Sequence, residues 1–128
     1  MKKETVLNFD NERFLFSEYY YDVSEYEKLL RTVKFKHQDF DIKMFLLGFD
    51  HNPPHIHIII NSVIDDEFRY KLSGEYYKKD VSGNRTFQKF KRNKKIYNAV
   101  KEYLKIKNEI LTESFYILNP TLKTKGND

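Results

Sequence analysis

Three of the four histidines lie in one eight-residue segment, which reads Asp-His-Asn-Pro-Pro-His-Ile-His from Asp50 to His57. If His55 begins a strand, His55 and His57 project from the same face, about 6.7 Å apart along the strand. Two imidazoles so placed can ligate one metal ion or one phosphate, and His51 could return through the Pro-Pro loop as a third nitrogen ligand. Asp50 could orient one ring or itself bind the ion. The segment therefore predicts a metal, phosphate or catalytic site.

An inert role for the same histidines stays open, because a His-x-His pair that faces solvent on a strand is common. Ile56, Ile58 and Ile60 alternate with the histidines and predict a face that packs into the core. His55 and His57 would share the other face, which the sequence does not plainly assign to solvent. A site is therefore the favoured interpretation, and a divalent metal ion is its candidate cofactor.

Two predicted strands flank the histidine loop and must position it. Residues 41–49 read as a buried strand, and residues 55–63 form a second one that is rich in β-branched side chains. The two prolines of the connection cannot donate to a strand ladder and restrict the loop backbone. Residues 68–72 alternate apolar and charged side chains, which predicts a third strand with one polar face.

Helical spacing dominates the C-terminal third of the chain. Apolar side chains recur on one stripe from about residue 91 to about residue 112, which predicts one long helix. Ser82-Gly83-Asn84 predicts a turn before it, and residues 121–128 read as a loose polar tail. The predicted stripe consists of Ile96, Val100, Tyr103, Leu104, Ile110 and Leu111.

A shorter helix is predicted near the N-terminus, after edge strands at residues 5–9 and 13–16. Ser24 and Glu27 fit a capping box, and the apolar stripe that follows is Tyr26, Leu29, Leu30 and Val33. The resulting fold class is α+β, with one compact domain over residues 1–120. In this fold a small, mostly antiparallel sheet is packed by one long C-terminal helix and one short N-terminal helix.

Charge is distributed unevenly along the 128 residues. The net formal charge of +4 divides into −4 for residues 1–66 and +8 for residues 67–128. A dense basic stretch attracts phosphate backbones or an acidic protein face, although a solvated lysine face is the inert alternative. The candidate binding residues are Arg85, Lys89, Lys91, Arg92, Lys94, Lys95, Lys101 and Lys105.

Composition excludes several classes of protein. The chain has no cysteine, which excludes disulfides, thiolate nucleophiles and cysteine-ligated metals. No apolar run approaches the roughly 20 residues of a membrane span, and no secretory signal is evident. An aromatic content of 16% argues against disorder. We therefore expect a cytoplasmic protein of a bacterium or a phage-infected host, with no membrane partner.

The triplet His55-Ile56-His57 resembles the His-hydrophobic-His strand of rolling-circle replication and transposition endonucleases. Those enzymes bind a divalent ion with the histidine pair and attack DNA with a tyrosine from a downstream helix. The resemblance implies Tyr97 or Tyr103 as the nucleophile. Their place near the apolar stripe favours a structural role instead.

A closer resemblance covers residues 45–118. Asp50 to His57 is similar to the signature of the bacterial domain-of-unknown-function family 4160, which reads Asp-His-Asn-Pro-Pro-His-aromatic-His. Ile56 stands where that family usually has phenylalanine. The resemblance implies a setting beside toxin–antitoxin and defence modules.

Two functions are compatible with these features, and the sequence favours the first. A non-enzymatic binder would grip RNA, single-stranded DNA, a ribonucleoprotein or an acidic protein face through the basic helix. Such a protein could be an antitoxin-type partner, or a phage-type inhibitor of an RNA-guided or RNA-cleaving enzyme. The alternative is a small nuclease that depends on His55 and His57 and on one divalent ion, with His51 and Asp50 in support. A structural accessory subunit is a third, less specific option.

Overall fold

Within the part of the chain that the structure describes, seven strands form one antiparallel sheet whose spatial order follows the chain. The computed structural model describes residues 2–23, 26–48, 50–61, 66–77 and 81–126. Asp10 and Asn11 join the first two strands with φ angles of 55° and 60°, as a two-residue hairpin turn requires. The strands are β1 (Lys2–Phe9), β2 (Glu12–Val23), β3 (Tyr26–His37), β4 (Phe40–Phe45), β5 (His55–Ile60), β6 (Glu67–Lys71) and β7 (Tyr76–Tyr77).

Alternating side chains give the sheet two different faces. Along β4, for example, Ile42 and Met44 are buried whereas Lys43 between them is exposed, because successive side chains of a strand point to opposite faces. The inner face is apolar and packs against the first two of the helices that follow the sheet in the chain. It is built from Phe14, Phe16, Val33, Phe35, Ile42, Met44, Ile56, Ile58, Phe68 and Tyr70.

Four consecutive helices follow the sheet: α1 (Val81–Arg92), α2 (Lys94–Ile106), α3 (Asn108–Leu118) and α4 (Pro120–Gly126). Aromatic contacts fix α1 and α2 to the inner face, whereas Phe115 of α3 packs against His55 at 5.7 Å. The rings of Phe87 and Phe90 lie 5.5 and 5.4 Å from that of Phe68, and Tyr103 stacks on Phe16 at 4.1 Å. The α+β class and the mostly antiparallel sheet are as the sequence predicts. None of the helices described has the length and apolar character to cross a membrane.

The predicted long C-terminal helix is divided in two places. Asn93 separates α1 from α2 and accepts a hydrogen bond from the Ile96 N–H at 3.3 Å, so it caps a new helix. Lys107 separates α2 from α3. The breaks let each segment turn its own apolar side to the sheet. Most of the predicted stripe is buried, but Ile110 is 40% exposed.

Two other local predictions are wrong. Residues 82–84, predicted as a turn, lie within α1. The predicted N-terminal helix is strand β3, although Ser24 itself lies outside the described residues. Pairing with β2 and β4 on both sides outweighs the local capping signal. Of the predicted polar tail, residues 121–126 belong to the short helix α4, and the last two residues are outside the described part.

Candidate metal centre

The connection between β4 and β5 folds over the end of the sheet and brings Asp50 against the two strand histidines. Asn119, between α3 and α4, anchors it. Its Oδ1 accepts from the Asp50 N–H at 2.8 Å, and its Nδ2 donates to the Leu47 and Phe115 carbonyls at 2.8 and 3.0 Å. Asn119 is only 4% exposed, so one buried amide fixes the loop to the helices.

Three side chains converge on one point. Oδ2 of Asp50 lies 3.1 Å from Nε2 of His55 and 3.0 Å from Nε2 of His57. The three candidate ligand atoms all lie within 4.8 Å of one another. The side chains are 7%, 0% and 3% exposed, respectively. The strand placement of the two histidines and their shared face are as the sequence predicts.

The tautomer of His55 is fixed by the backbone carbonyl of Pro53. Its Nδ1 lies 2.7 Å from the Pro53 carbonyl oxygen, which can only accept, so Nδ1 carries the hydrogen. In the neutral ring Nε2 then presents a lone pair, and this buried atom has no hydrogen-bond partner among the described residues. A lone pair that faces a carboxylate oxygen at 3.1 Å is repelled unless a cation lies between them.

His57 meets a carboxylate at each ring nitrogen. Its Nδ1 lies 2.7 Å from Oε1 of Glu67, and its Nε2 lies 3.0 Å from Oδ2 of Asp50. A neutral imidazole has a single N–H and can donate to only one of them. A ring that donates from Nδ1 to a carboxylate and turns Nε2 to an ion is the usual arrangement of a metal-ligating histidine. Phe45 stacks on the ring at 5.2 Å and holds its plane.

His51 lies at the solvent side of this group. Its Nδ1 is 3.1 Å from Oδ1 of Asp50, its side chain is 44% exposed, and its ring centroid is 5.2 Å from that of His55. The Pro-Pro loop thus places His51 beside Asp50 and His55, and its predicted role as a third nitrogen ligand stays a prediction. Its nitrogen faces the other oxygen of Asp50 and is not one of the three converging atoms.

The protonation states suit metal binding. Burial alone raises the pKa of the Asp50 carboxyl, but hydrogen bonds from His57 and the His51 backbone, with the charges of the imidazoles, lower that pKa overall. Burial lowers the pKa of His55 by more than the bond to Pro53 and the Asp50 charge raise it. An ionised carboxylate and a neutral imidazole are the forms that bind metal ions.

Two imidazole nitrogens and one carboxylate oxygen are a donor set for a first-row transition ion such as Zn²⁺, Fe²⁺ or Mn²⁺. Ca²⁺ and Mg²⁺ prefer sites built from oxygen alone. Three protein ligands leave a position for water or a substrate atom. The exposure of His51 puts the solvent approach on its side.

The sequence did not single out three of the supporting groups: Glu67, the Pro53 carbonyl and Asn119. Glu67 begins β6 and lies opposite Ile59 in the β5–β6 register. It could have been found from the alternation of that hairpin, because it precedes the predicted third strand by one residue and shares the face of the histidines. Asn119 is 69 residues from Asp50, and no local pattern links the two.

The basic residues predicted to bind a partner lie elsewhere. Because α1 and α2 pack on the inner face, their exposed charges lie on the opposite side of the sheet from the histidines. Arg85, Lys89, Lys91 and Arg92 lie on α1, and Lys94, Lys95, Lys101 and Lys105 lie on α2; all eight are exposed.

The two helix tyrosines also lie on the inner side. Tyr103 is 1% exposed and stacked on Phe16, and Tyr97 packs edge-on against Phe87 and Phe90. The geometry does not bring either hydroxyl to the histidine pair, which agrees with the structural role that the apolar stripe favours.

Comparison with known proteins gives no relative. No protein-family model matches the chain, no curated protein matches it, and no solved structure matches it. The resemblances drawn from the histidine motif therefore stay predictions.

Proposed function

We propose that this protein is a nucleic-acid-processing protein that holds one divalent transition-metal ion on Asp50, His55 and His57. The observation that carries the proposal is the convergence of two imidazole Nε2 atoms on a single carboxylate oxygen. Both rings have Nδ1 engaged by an oxygen behind them. A bound cation would relieve the repulsion between the His55 lone pair and the Asp50 carboxylate.

The charges beside the centre favour a phosphate-containing substrate. Across β5 and β6, Arg69 lies directly opposite His57, and Lys71 lies directly opposite His55. Side chains that face each other in this way are about 5 Å apart at Cβ. Two cations beside a metal site attract an anion and would neutralise charge that develops on a phosphoryl group.

Phosphodiester hydrolysis is the reaction that this arrangement suits best. A bound divalent ion supplies a Lewis acid and lowers the pKa of a coordinated water. Glu67 holds the His57 ring, and the Pro53 carbonyl holds that of His55. His51, half-exposed beside Asp50, is placed to pass a proton between the site and solvent.

The test is incubation of labelled single-stranded RNA and DNA with the protein, with and without Mn²⁺ or Zn²⁺, followed by a denaturing gel. The parent should give shortened products only with metal, and His57→Gln should give none. His37→Gln is the matched control, because His37 lies on the inner side beside Phe14 and Phe35 and should leave cleavage unchanged. Equal cleavage by His57→Gln would contradict the proposal.

A second candidate is non-catalytic binding through the basic surface of α1 and α2. Its supporting observation is that most of these cations have no carboxylate partner. Lys95 pairs with Glu12 at 3.0 Å, but the other seven form no ion pair within the described residues: Arg85, Lys89, Lys91, Arg92, Lys94, Lys101 and Lys105. Its partners would be RNA, single-stranded DNA, a ribonucleoprotein or an acidic protein, in a bacterial cytoplasm and a defence setting.

Charge removal tests this candidate. If this surface binds RNA, replacing Lys91, Arg92 and Lys94 by glutamine will weaken binding and lower the salt slope by about 2, since each single-strand phosphate contact contributes roughly 0.7. Fluorescence anisotropy at several salt concentrations measures both. An unchanged salt slope would remove α1 and α2 as the binding surface.

A further inference from the structure

We infer that a single-stranded nucleic acid binds across the outer face of the sheet, the face opposite α1 and α2, and is led along it to the metal centre. The outer face is the surface formed by the side chains that alternate with the buried core residues. The inference rests on the proposed function and names the surface by which the substrate reaches the site.

One row of side chains crosses this face from strand to strand. The register pairs each member directly with the next, from β2 to β7, over about 24 Å at the usual strand spacing. Four of the six are aromatic or imidazole rings, and a fifth is a planar guanidinium. The row is Tyr19, Thr32, Phe45, His57, Arg69 and Tyr77.

Each of the three phenyl or phenol rings of the row has a lysine ammonium near its face. Aromatic rings flanked by cations are the elements with which proteins bind single strands, because bases stack on the rings and phosphates contact the cations. A base that stacks on one of these rings would displace the lysine ammonium, which would then contact the phosphate of that nucleotide. The pairs are Lys34 with Tyr19 at 5.3 Å, Lys43 with Phe45 at 5.7 Å and Lys71 with Tyr77 at 5.8 Å.

Formal charge on the outer face is complementary to a phosphate backbone. Among the described strand side chains, the alternation places three carboxylates there: Glu4, Asp41 and Glu67. Glu67 is hydrogen-bonded to His57, and the loop before β5 adds Asp50. Within the described strands, Lys34, Lys36 and Lys43 form no ion pair, and all three are exposed. Among the described strand side chains, the alternation places seven basic ones on this face: Lys2, Arg13, Lys34, Lys36, Lys43, Arg69 and Lys71.

Arg69 joins the charged surface to the metal centre. It is paired directly with His57 on one side and with Tyr77 on the other. Its Nη1 is out of contact with solvent and has no hydrogen-bond partner among the described residues. The residue as a whole is only partly buried, so the other N–H groups of the guanidinium are the ones that a phosphate would contact.

The basic surface of α1 and α2 cannot serve the same purpose. A helix layer about 10 Å thick and the sheet itself separate its charges from His55 and His57. A strand bound there would not present a phosphodiester to the metal, whereas a strand on the outer face approaches it directly.

Two charge-matched variants decide between the surfaces. The first is Lys34→Gln with Lys43→Gln on the outer face, and the second is Lys91→Gln with Lys94→Gln on the helices. Fluorescence anisotropy at moderate salt measures the binding of labelled poly-uridine and poly-thymidine oligonucleotides to each protein. All four lysines are exposed, so both variants should unfold at the parent's temperature.

The outer-face variant should bind roughly tenfold more weakly, with a salt slope lower by about 1.4, while the helix variant stays within twofold of the parent. Tyr19→Leu, far from the metal, should weaken binding by about tenfold through lost stacking. The reverse order of the two lysine variants would overturn the inference, and so would a parent that binds neither oligonucleotide. A calorimetric titration of Mn²⁺ or Zn²⁺ into the same proteins reports separately on the metal site of the proposed function.

Discussion

At the scale of single residues, the candidate metal centre depends on which ring nitrogen of His55 and His57 faces Asp50. Pro53 and Glu67 each lie 2.7 Å from an Nδ1, and this leaves the two Nε2 atoms facing Asp50. The residue types and the shared face could be predicted from the spacing of His55 and His57. The tautomers could not, because they depend on a carbonyl in a loop and on a carboxylate from the next strand.

Glu67→Gln should weaken metal binding by about 10- to 100-fold. The glutamine keeps a hydrogen-bond acceptor for His57 but loses the charge that raises the basicity of the ring. Calorimetric titration of Zn²⁺ measures the change. Glu75→Gln is the control, because Glu75 is 74% exposed and its removal should leave the affinity unchanged; equal affinities for the parent and Glu67→Gln would contradict this role.

Asp50→Asn should separate metal binding from folding. An amide N–H can donate to a histidine lone pair, so the metal-free variant should unfold at a temperature no lower than that of the parent. Added Zn²⁺ at about 100 times its Kd should stabilise the parent by about 2.7 kcal/mol and the variant hardly at all. Thermal unfolding with and without the ion checks both results, and a variant that gains as much as the parent would rule out Asp50 as a ligand.

At the scale of elements, the junction between α3 and α4 positions the metal loop. Asn119 bonds to both sides of that loop and is buried. The sequence predicted helices near this point but not the contact, since the two partners are remote in the chain. The same limit explains why β3 was predicted as a helix. The local capping pattern favours a helix there, but pairing with β2 and β4 makes the segment a strand.

Asn119→Ala should lower the free energy of unfolding by about 1–3 kcal/mol, because it leaves the Asp50 N–H and the Leu47 carbonyl without their partner. It should also weaken metal binding, since Asp50 loses its anchor. Urea denaturation and Zn²⁺ titration measure the two effects. Asn98→Ala, on the exposed side of α2, is the control; a stable variant with weakened binding would show that the anchor acts on the site alone.

At the scale of the whole molecule, the two halves of the chain form two layers. The strands β1 to β7 come first and build the sheet, and of the helices that follow, α1 and α2 cover its inner face. The alternation of apolar side chains made that division predictable. Net charge did not predict the basic side chains of the outer face. The net charge of −4 for residues 1–66 is a sum over both faces of the sheet, so it does not show how the charges are divided between them.

Alkaline stability is a property of the whole fold that one buried phenol should control. Burial, followed by the neighbouring Tyr97, raises the pKa of Tyr70 to about 12, and its hydroxyl donates to the Gly74 carbonyl at 2.8 Å. Above pH 10 the unfolded chain loses this proton and the folded chain keeps it, so stability should fall by about 2–3 kcal/mol between pH 10 and 12. Tyr70→Phe should be less stable at neutral pH but lose less over that interval, as urea denaturation would show. An equal loss in both proteins would contradict the assignment.

Anomalous X-ray diffraction from crystals grown with Zn²⁺ or Mn²⁺ tests the central claim most directly, because it locates the ion as well as detecting it. The account predicts one strong peak between Oδ2 of Asp50 and the Nε2 atoms of His55 and His57, at about 2.0–2.2 Å from each if the ion is zinc. A crystal that carries peaks only at His37 or at surface carboxylates, with none among these three atoms, would contradict it.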